Sequence, residues 1–255
     1  MECINNPSEL TYQHQVPFVV WCYWEGAPMN ANRLLSFEYL QKNIHVPVCL
    51  ITKDNLSAFI KPEFPLHEAF PYLSAVHRSD YIRAYLMHFY GGAWHDIKAT
   101  EVSFRDCWNE FENPDIYLIG RPENQKGAAR VYDEHNRYMP DYWKDLVAVP
   151  AWIARGNTAM TSEIYAGFLK LLDNNLEALK KHPAKHPREK FIQPKNIFHA
   201  LVIRLKHLYS GRNPNYPLPW TVFGNIFHPV VYKYREHVSY NLPVNKIKNA
   251  GIYHR

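Results

Sequence analysis

The sequence predicts an α/β fold: a mostly parallel sheet flanked by helices, with a helical or irregular elaboration at the C-terminal end. Three observations carry this. Val16 to Trp24 and Val46 to Thr52 are short β-branched runs, and between them Met29 to Lys42 has apolar residues at helical spacing. Strand, helix, strand over this distance is a βαβ unit, which implies parallel pairing. Hydrophobic residues are 47% and aromatics 15% of 255 residues, enough for a sizeable core.

The remaining elements follow from pattern and punctuation. Phe59 to Tyr72 is proline-rich and reads as loop with one short helix. Val76 to Tyr90 is the clearest helix, closed by Gly91-Gly92, because glycine accepts the left-handed conformation of a helix cap. Trp94 to Thr100 reads as a strand or strand end, Phe104 to Glu112 as a short helix and Asp115 to Gly120 as a strand. Arg121 to Lys144 is a long polar loop, and a loop of this length in a compact domain is usually functional or mobile. Leu146 to Ala154 reads as a strand; Ala159 to Lys181 and Asn196 to Tyr209 read as helices. From Arg212 the chain is rich in Pro, Asn, Tyr and His and reads as irregular. No repeat or Gly/Ser-rich linker divides it. The organisation expected is one domain over residues 1–255, with a tail at 1–15 and an irregular segment at 212–255.

Composition narrows the function classes. No run is long and apolar enough for a membrane-spanning helix, and the N-terminus lacks a basic-then-apolar leader pattern. Cys3, Cys22, Cys49 and Cys107 form no C-x-x-C pair, and Cys22 and Cys49 lie in strand-like runs as small core residues. A reducing, cytoplasmic location fits. The net charge of +5 favours an anionic partner. The basic run "KKHPAKHPREK", Lys180 to Lys190, reads as a solvated loop, or as contact with a membrane surface or a charged glycan. Nucleic acid is not expected, since no regularly spaced basic helix is present. The histidines show no H-x-x-x-H or H-E-x-x-H spacing for zinc.

The strongest functional pattern is "HRSDYIRAYLMHFYGGAWHDIKAT", His77 to Thr100. Asp80 and Arg83, three apart, share a helix face. After Gly-Gly, strand alternation puts Asp96 and Lys98 on one side. Two polar pairs then converge near the C-terminal end of a strand, where open α/β sheets bind ligands. Each pair by itself is equally an ordinary ion pair.

Taken together, the stretch resembles glycosyltransferases whose sugar-binding region carries a DXD motif: the capsular polysaccharide synthesis type and, more distantly, the glucosylating domains of large clostridial toxins. The matching residues are Ser79-Asp80-Tyr81-Ile82-Arg83, Tyr90-Gly91-Gly92 and Trp94-His95-Asp96-Ile97-Lys98. "VVWCYWEG" (19–26), "RGNTAMT" (155–161) and "FGNIFHP" (223–229) resemble further family blocks. The resemblance implies a GT-A-like, Rossmann-related fold and an enzyme that moves a sugar from a nucleotide diphosphate sugar, a UDP-sugar by expectation, to a glycan or lipid-linked acceptor, with retention. Residue by residue it implies that Trp21, or alternatively Tyr23, stacks on the base, against the reading of Trp21 as a core residue. Asp80 and Arg83 would hold donor hydroxyls and phosphate, Asn157 would be a further donor contact, and Asp96 would touch ribose, sugar or metal.

The departure is Lys98, which stands where DXD has its second Asp. A DXD site holds a divalent cation, Mn²⁺ or Mg²⁺, between carboxylates and diphosphate. Three readings follow: Lys98 itself contacts the diphosphate, with Asp96 and Lys98 as the catalytic pair; a metal remains, held by Asp96, phosphate, water and His228; or the protein is a non-catalytic nucleotide-sugar or glycan-binding module.

Overall fold

In the computed structural model of the protein, residues 4–132, 137, 139, 141–245 and 247 are described, with backbone only at 199 and 208. The strands are β1 (Tyr12–Gln13), β2 (Val16–Pro17), β3 (Val20–Tyr23), β4 (Val48–Ile51), β5 (Gly91–His95), β6 (Leu118–Pro122), β7 (Val147–Arg155) and β8 (Val238–Ser239). The helices are α1 (Ala31–Asn43), α2 (Ala75–Phe89), α3 (Ala159–Lys181), α4 (Ile197–Tyr209) and α5 (Val222–Lys233). The main sheet has the order β4-β3-β5-β7-β6-β8. It is mostly parallel: β3 pairs parallel with β4 and β5, and β6 with β8, while β7 runs antiparallel to β5 and β6.

Strand alternation sorts the core into two layers. Val19, Trp21 and Tyr23 join one cluster with residues of α2, α3 and α5; Val20 and Cys22 join the other, with Leu40 of α1 and with Cys107, Trp108 and Phe111. Helices therefore cover both faces, as the expected GT-A-like fold requires.

The βαβ unit forms as expected, β3–α1–β4 in parallel register. α2 begins at an N-cap, Ser74, whose side chain accepts from His77 N–H. It ends at Phe89, and the glycine pair starts β5 rather than merely capping the helix. Gly91 and Gly92 have φ of +82° and +92°. A Cβ on Gly91 would lie 2.6 Å from Gly156 N and 2.8 Å from Ala154 O, so glycine is needed both for the bend and for the approach of β7.

Several sequence expectations are corrected. Val16 to Trp24 is two strands: β2 closes a hairpin with β1, turned by His14 and Gln15 at positive φ, and only β3 enters the sheet. The 1–15 segment is therefore more than a tail, and Ile4 and Leu10 are buried in the core. Of the strand or strand end expected over Trp94 to Thr100, only Trp94 and His95 are strand, as the end of β5. Phe104 to Glu112 forms a 3-10 helix, Arg105–Glu112, and the proline-rich stretch contains two 3-10 turns, Leu56–Phe59 and Phe70–Tyr72. The segment after Arg212 is not irregular throughout. It contains α5, with Pro229 inside the helix, and β8, which pairs with β6. Residues 133–136, 138 and 140 of the Arg121–Lys144 loop, 1–3 with Cys3, and 246 and 248–255 lie outside the described residues. Among those described, no helix is long and apolar enough to cross a membrane.

Candidate functional site

A cavity of about 770 Å³ opens at the C-terminal ends of β3 and β5. Tyr23, Trp24 and Glu25 reach it from β3, and Trp94, Asp96 and Ile97 from β5. The first two turns of α2 (Ala75, Val76, Ser79) and the first turn of α5 (Phe223, Gly224, Asn225) form further walls. The first N–H groups of α2 are already engaged, Val76 N–H by Pro187 O and His77 N–H by Ser74 Oγ, whereas α5 begins at Thr221 without a side-chain cap, so the positive end of α5 favours an anion here.

Three carboxylates line the cavity, and each is tied to a cation. Asp80 Oδ1 accepts from Arg83 Nη2 at 2.5 Å, with both side chains under 10% exposed. Arg83 also donates from Nη1 to Val149 O at 3.0 Å, and its guanidinium lies 3.9 Å from the Phe223 ring centroid and 5.0 Å from that of Trp94. It is thus clamped between α5 and β5. Asp96 Oδ2 lies 3.3 Å from Lys98 Nζ, and Oδ1 accepts from Trp94 Nε1 at 3.2 Å. Glu25 pairs with Arg78 and accepts from Tyr23 Oη at 2.7 Å.

Burial separates the two aspartates. It raises the Asp80 carboxyl to about 6, against the pull of Arg83 and with a push from Asp96. Burial also works to raise Asp96, but Lys98, Arg83 and the Trp94 hydrogen bond outweigh it and hold that carboxyl below its usual range.

Arg33, Lys126 and Arg188 also line the cavity. Arg33 donates to Ile97 O at 2.7 Å and lies 5.3 Å from the Trp24 ring centroid. Arg188 lies 5.2 Å from the Trp220 ring centroid and Lys190 4.9 Å. Burial, and after it the neighbouring Arg212 and Arg33, depress the Arg188 pKa.

The structure therefore brings Tyr23, Asp80, Arg83 and Asp96 together, with Lys98 reaching the cavity through Asp96. Trp21 is a core residue: it is fully buried, donates from Nε1 to Gly91 O at 2.7 Å and packs edge-on against Phe59. Trp21 lies inside the strand, where packed layers cover both faces, and Trp24, beyond the strand end, is the tryptophan of this segment on the cavity. Asn157 sits at φ 54° before α3, where its N–H donates to His88 O, and it does not line the cavity.

His228 is a structural histidine. Its Nδ1 accepts from Ala129 N–H at 2.9 Å, which leaves Nε2 to donate to Val147 O at 3.1 Å. Both ring nitrogens are engaged, and burial lowers the pKa to about 4. The residue ties α5 to β7 and to the loop that brings Lys126 to Ala129 to the cavity. The basic run at 180–190 is likewise more than a solvated loop, since His186, Pro187 and Arg188 form cavity wall.

The donor set does not fit a protein-held divalent cation. Lys98 pairs with Oδ2 of Asp96, Arg83 pairs with Oδ1 of Asp80, and His228 has no lone pair to spare. Among the described residues no group of three His, Cys, Asp or Glu side chains is placed to hold a metal.

Residues 3–139 match the sequence model of the capsular polysaccharide synthesis protein family. The chain belongs to this family. The matched segment contains Asp80, Arg83, Asp96 and Lys98, so the part of the cavity built by β3, α2 and β5 is the family's own sequence. Comparison with curated proteins finds no match. Membership of the capsular polysaccharide synthesis family points to a glycosyltransferase-related role. Arg188, Trp220 and Asn225 lie beyond the matched residues; Arg188 falls in the basic run at 180–190 and Asn225 in "FGNIFHP", whereas Trp220 has no local pattern to mark it.

Proposed function

We propose that the protein is a glycosyltransferase that takes a nucleotide diphosphate sugar in this cavity and transfers the sugar to a glycan or lipid-linked acceptor. The observation that carries the reading is the charge arrangement. Glu25, Asp80 and Asp96 are each paired with a cation, and Arg33, Lys126 and Arg188 add positive charge to the same walls. Such a surplus, with the uncapped N-terminus of α5, suits a diphosphate. The volume lies within the range of small-ligand sites, about 300–1,000 Å³.

In this reading Asp80 and Asp96 accept hydrogen bonds from donor hydroxyls through the lone pairs their cations leave open. Trp24 and Trp220 offer aromatic surface to the base. As the bond between the sugar's anomeric carbon and the phosphate oxygen breaks, the departing nucleoside diphosphate gains charge, which Arg33, Lys126 and Arg188 stabilise. The acceptor hydroxyl forms the new glycosidic bond and its proton leaves with the phosphate or solvent. Lys98 neutralises Asp96, so the carboxylate can stand beside the diphosphate.

Nucleotide sugars would be titrated in thermal-shift and transfer assays. Saturable stabilisation by at least one of them is expected, with loss in Arg188→Ala and Asp96→Ala variants that remain folded. Stabilisation by none, or wild-type binding in both variants, refutes the reading. A second reading, a binding module without catalysis, is favoured by the engagement of every cavity carboxylate with a cation. It predicts donor binding with neither transfer nor donor hydrolysis.

A further inference from the structure

α4 is built inside out for a helix of a folded core. Ala200, Ile203 and His207 face inward, whereas Ile197, Phe198, Leu201, Val202, Leu205 and Tyr209 are exposed, with Ile197, Phe198 and Tyr209 at 87%, 80% and 93%. At 3.6 residues per turn these six occupy one continuous arc of about 140°. Lys206 borders one edge of that arc and Arg204 the other, both exposed. From Lys190 to Arg235 the chain has no Asp or Glu, while it has Lys190, Lys195, Arg204, Lys206, Arg212, Lys233 and Arg235.

The charge pattern selects the occupant. A second copy docked on this arc would bring Arg204 and Lys206 against their own equivalents with no carboxylate on the segment to relieve them. A bilayer with anionic headgroups takes the apolar arc into its interfacial region and meets the flanking cations with phosphates. The flanks of the helix are anchored on the body of the protein. Phe191 bridges Pro219 in parallel and donates from N–H to Leu218 O at 2.7 Å, and buried Glu189 accepts from Asn213 N–H at 2.8 Å. The excursion thus leaves and returns beside Arg188 and Trp220, which line the cavity.

We propose that α4 is an interfacial helix that lies on an anionic lipid surface, with its apolar arc buried at the headgroup level and with Arg204 and Lys206 on lipid phosphates. The membrane contact then belongs to α4, not to the 180–190 run. Docking sets the cavity rim toward the lipid.

The test is flotation of the full chain with vesicles of phosphatidylcholine and phosphatidylglycerol, and with phosphatidylcholine alone, over a range of salt. Expected are binding to the anionic vesicles, weakening with salt, and a loss of roughly tenfold or more in partition for Phe198→Ser with Leu201→Ser. Arg204→Gln with Lys206→Gln should lose roughly tenfold on anionic vesicles only. All four positions are exposed, so urea midpoints should stay at the wild-type value and report that the variants fold. No partition onto anionic vesicles overturns the proposal, as does partition unchanged in both variants. So does a wild-type dimer in light scattering that Leu201→Ser dissociates, which would make this arc an interface between copies.

Discussion

Asp96 presents one carboxylate oxygen to Trp94 Nε1 at 3.2 Å and the other to Lys98 Nζ at 3.3 Å. The ammonium stands where a metal would need that second oxygen. The site therefore handles the charge of Asp96 with a side chain from its own chain.

Lys98→Asp removes that cation and rebuilds an Asp-x-Asp pair. The variant should gain Mn²⁺-dependent stabilisation in the presence of a nucleoside diphosphate, worth about 1–3 kcal/mol at saturating metal. The wild type should show none. Equal Mn²⁺ responses in the two proteins would remove the assigned role of Lys98.

The Asp80–Arg83 pair is almost fully buried, so its halves are unequal. Arg83→Met should cost about 3–5 kcal/mol by urea unfolding, because it leaves a buried carboxylate uncompensated. Asp80→Asn should cost less: Arg83 keeps Val149 O and its place between Phe223 and Trp94. Its effect should appear in donor binding and transfer.

The tryptophans separate core from cavity. Trp21→Phe should destabilise the fold by about 1–3 kcal/mol, through the lost hydrogen bond to Gly91 O and lost volume, with donor affinity unchanged. Trp24→Ala and Trp220→Ala are read by nucleotide titration, where stacking on a base is worth about 1–3 kcal/mol. No loss of nucleotide affinity in either variant would move the base away from both rings.

Acid should destabilise the protein below about pH 6.5. Burial lowers His77, His95 and His228 each to about 4. Between that value and the ordinary 6.5 the unfolded state binds more protons, so the stability they contribute is present above 6.5 and lost as pH falls toward 4. Asp80, raised to about 6, acts in the opposite sense: between about 6 and its ordinary 3.8 the folded state binds the proton. Three histidines outweigh one aspartate, and unfolding free energy should drop by about 2–4 kcal/mol between pH 7 and pH 5. A flat profile would show that the histidines are not held neutral. Donor binding should instead rise with pH through about 6, as Asp80 ionises.

Much of the polar wall was legible because its residues are close in the chain. Asp80 and Arg83 share a helical stripe, Gly91 and Gly92 mark the bend, and Asp96 and Lys98 follow just past the end of the short strand β5. Local spacing sets these positions, and α1, α2 and α3 declare themselves by apolar period and caps.

What the sequence by itself determined is this local frame: the βαβ start, the Asp80-to-Lys98 array and its change of charge at position 98. Tertiary structure decided the rest through contacts distant in sequence. It buried Trp21 and put Trp24 on the cavity, since alternation sorts side chains onto two faces but only the helix packed above says which positions stay open. It spent both nitrogens of His228 on Ala129 and Val147, drew β8 into the sheet beside β6, and carried Arg188 and Trp220 to the rim. It also left the apolar arc of α4 facing outward: the period predicts an amphipathic helix, and only the position of the protein body shows which arc meets solvent.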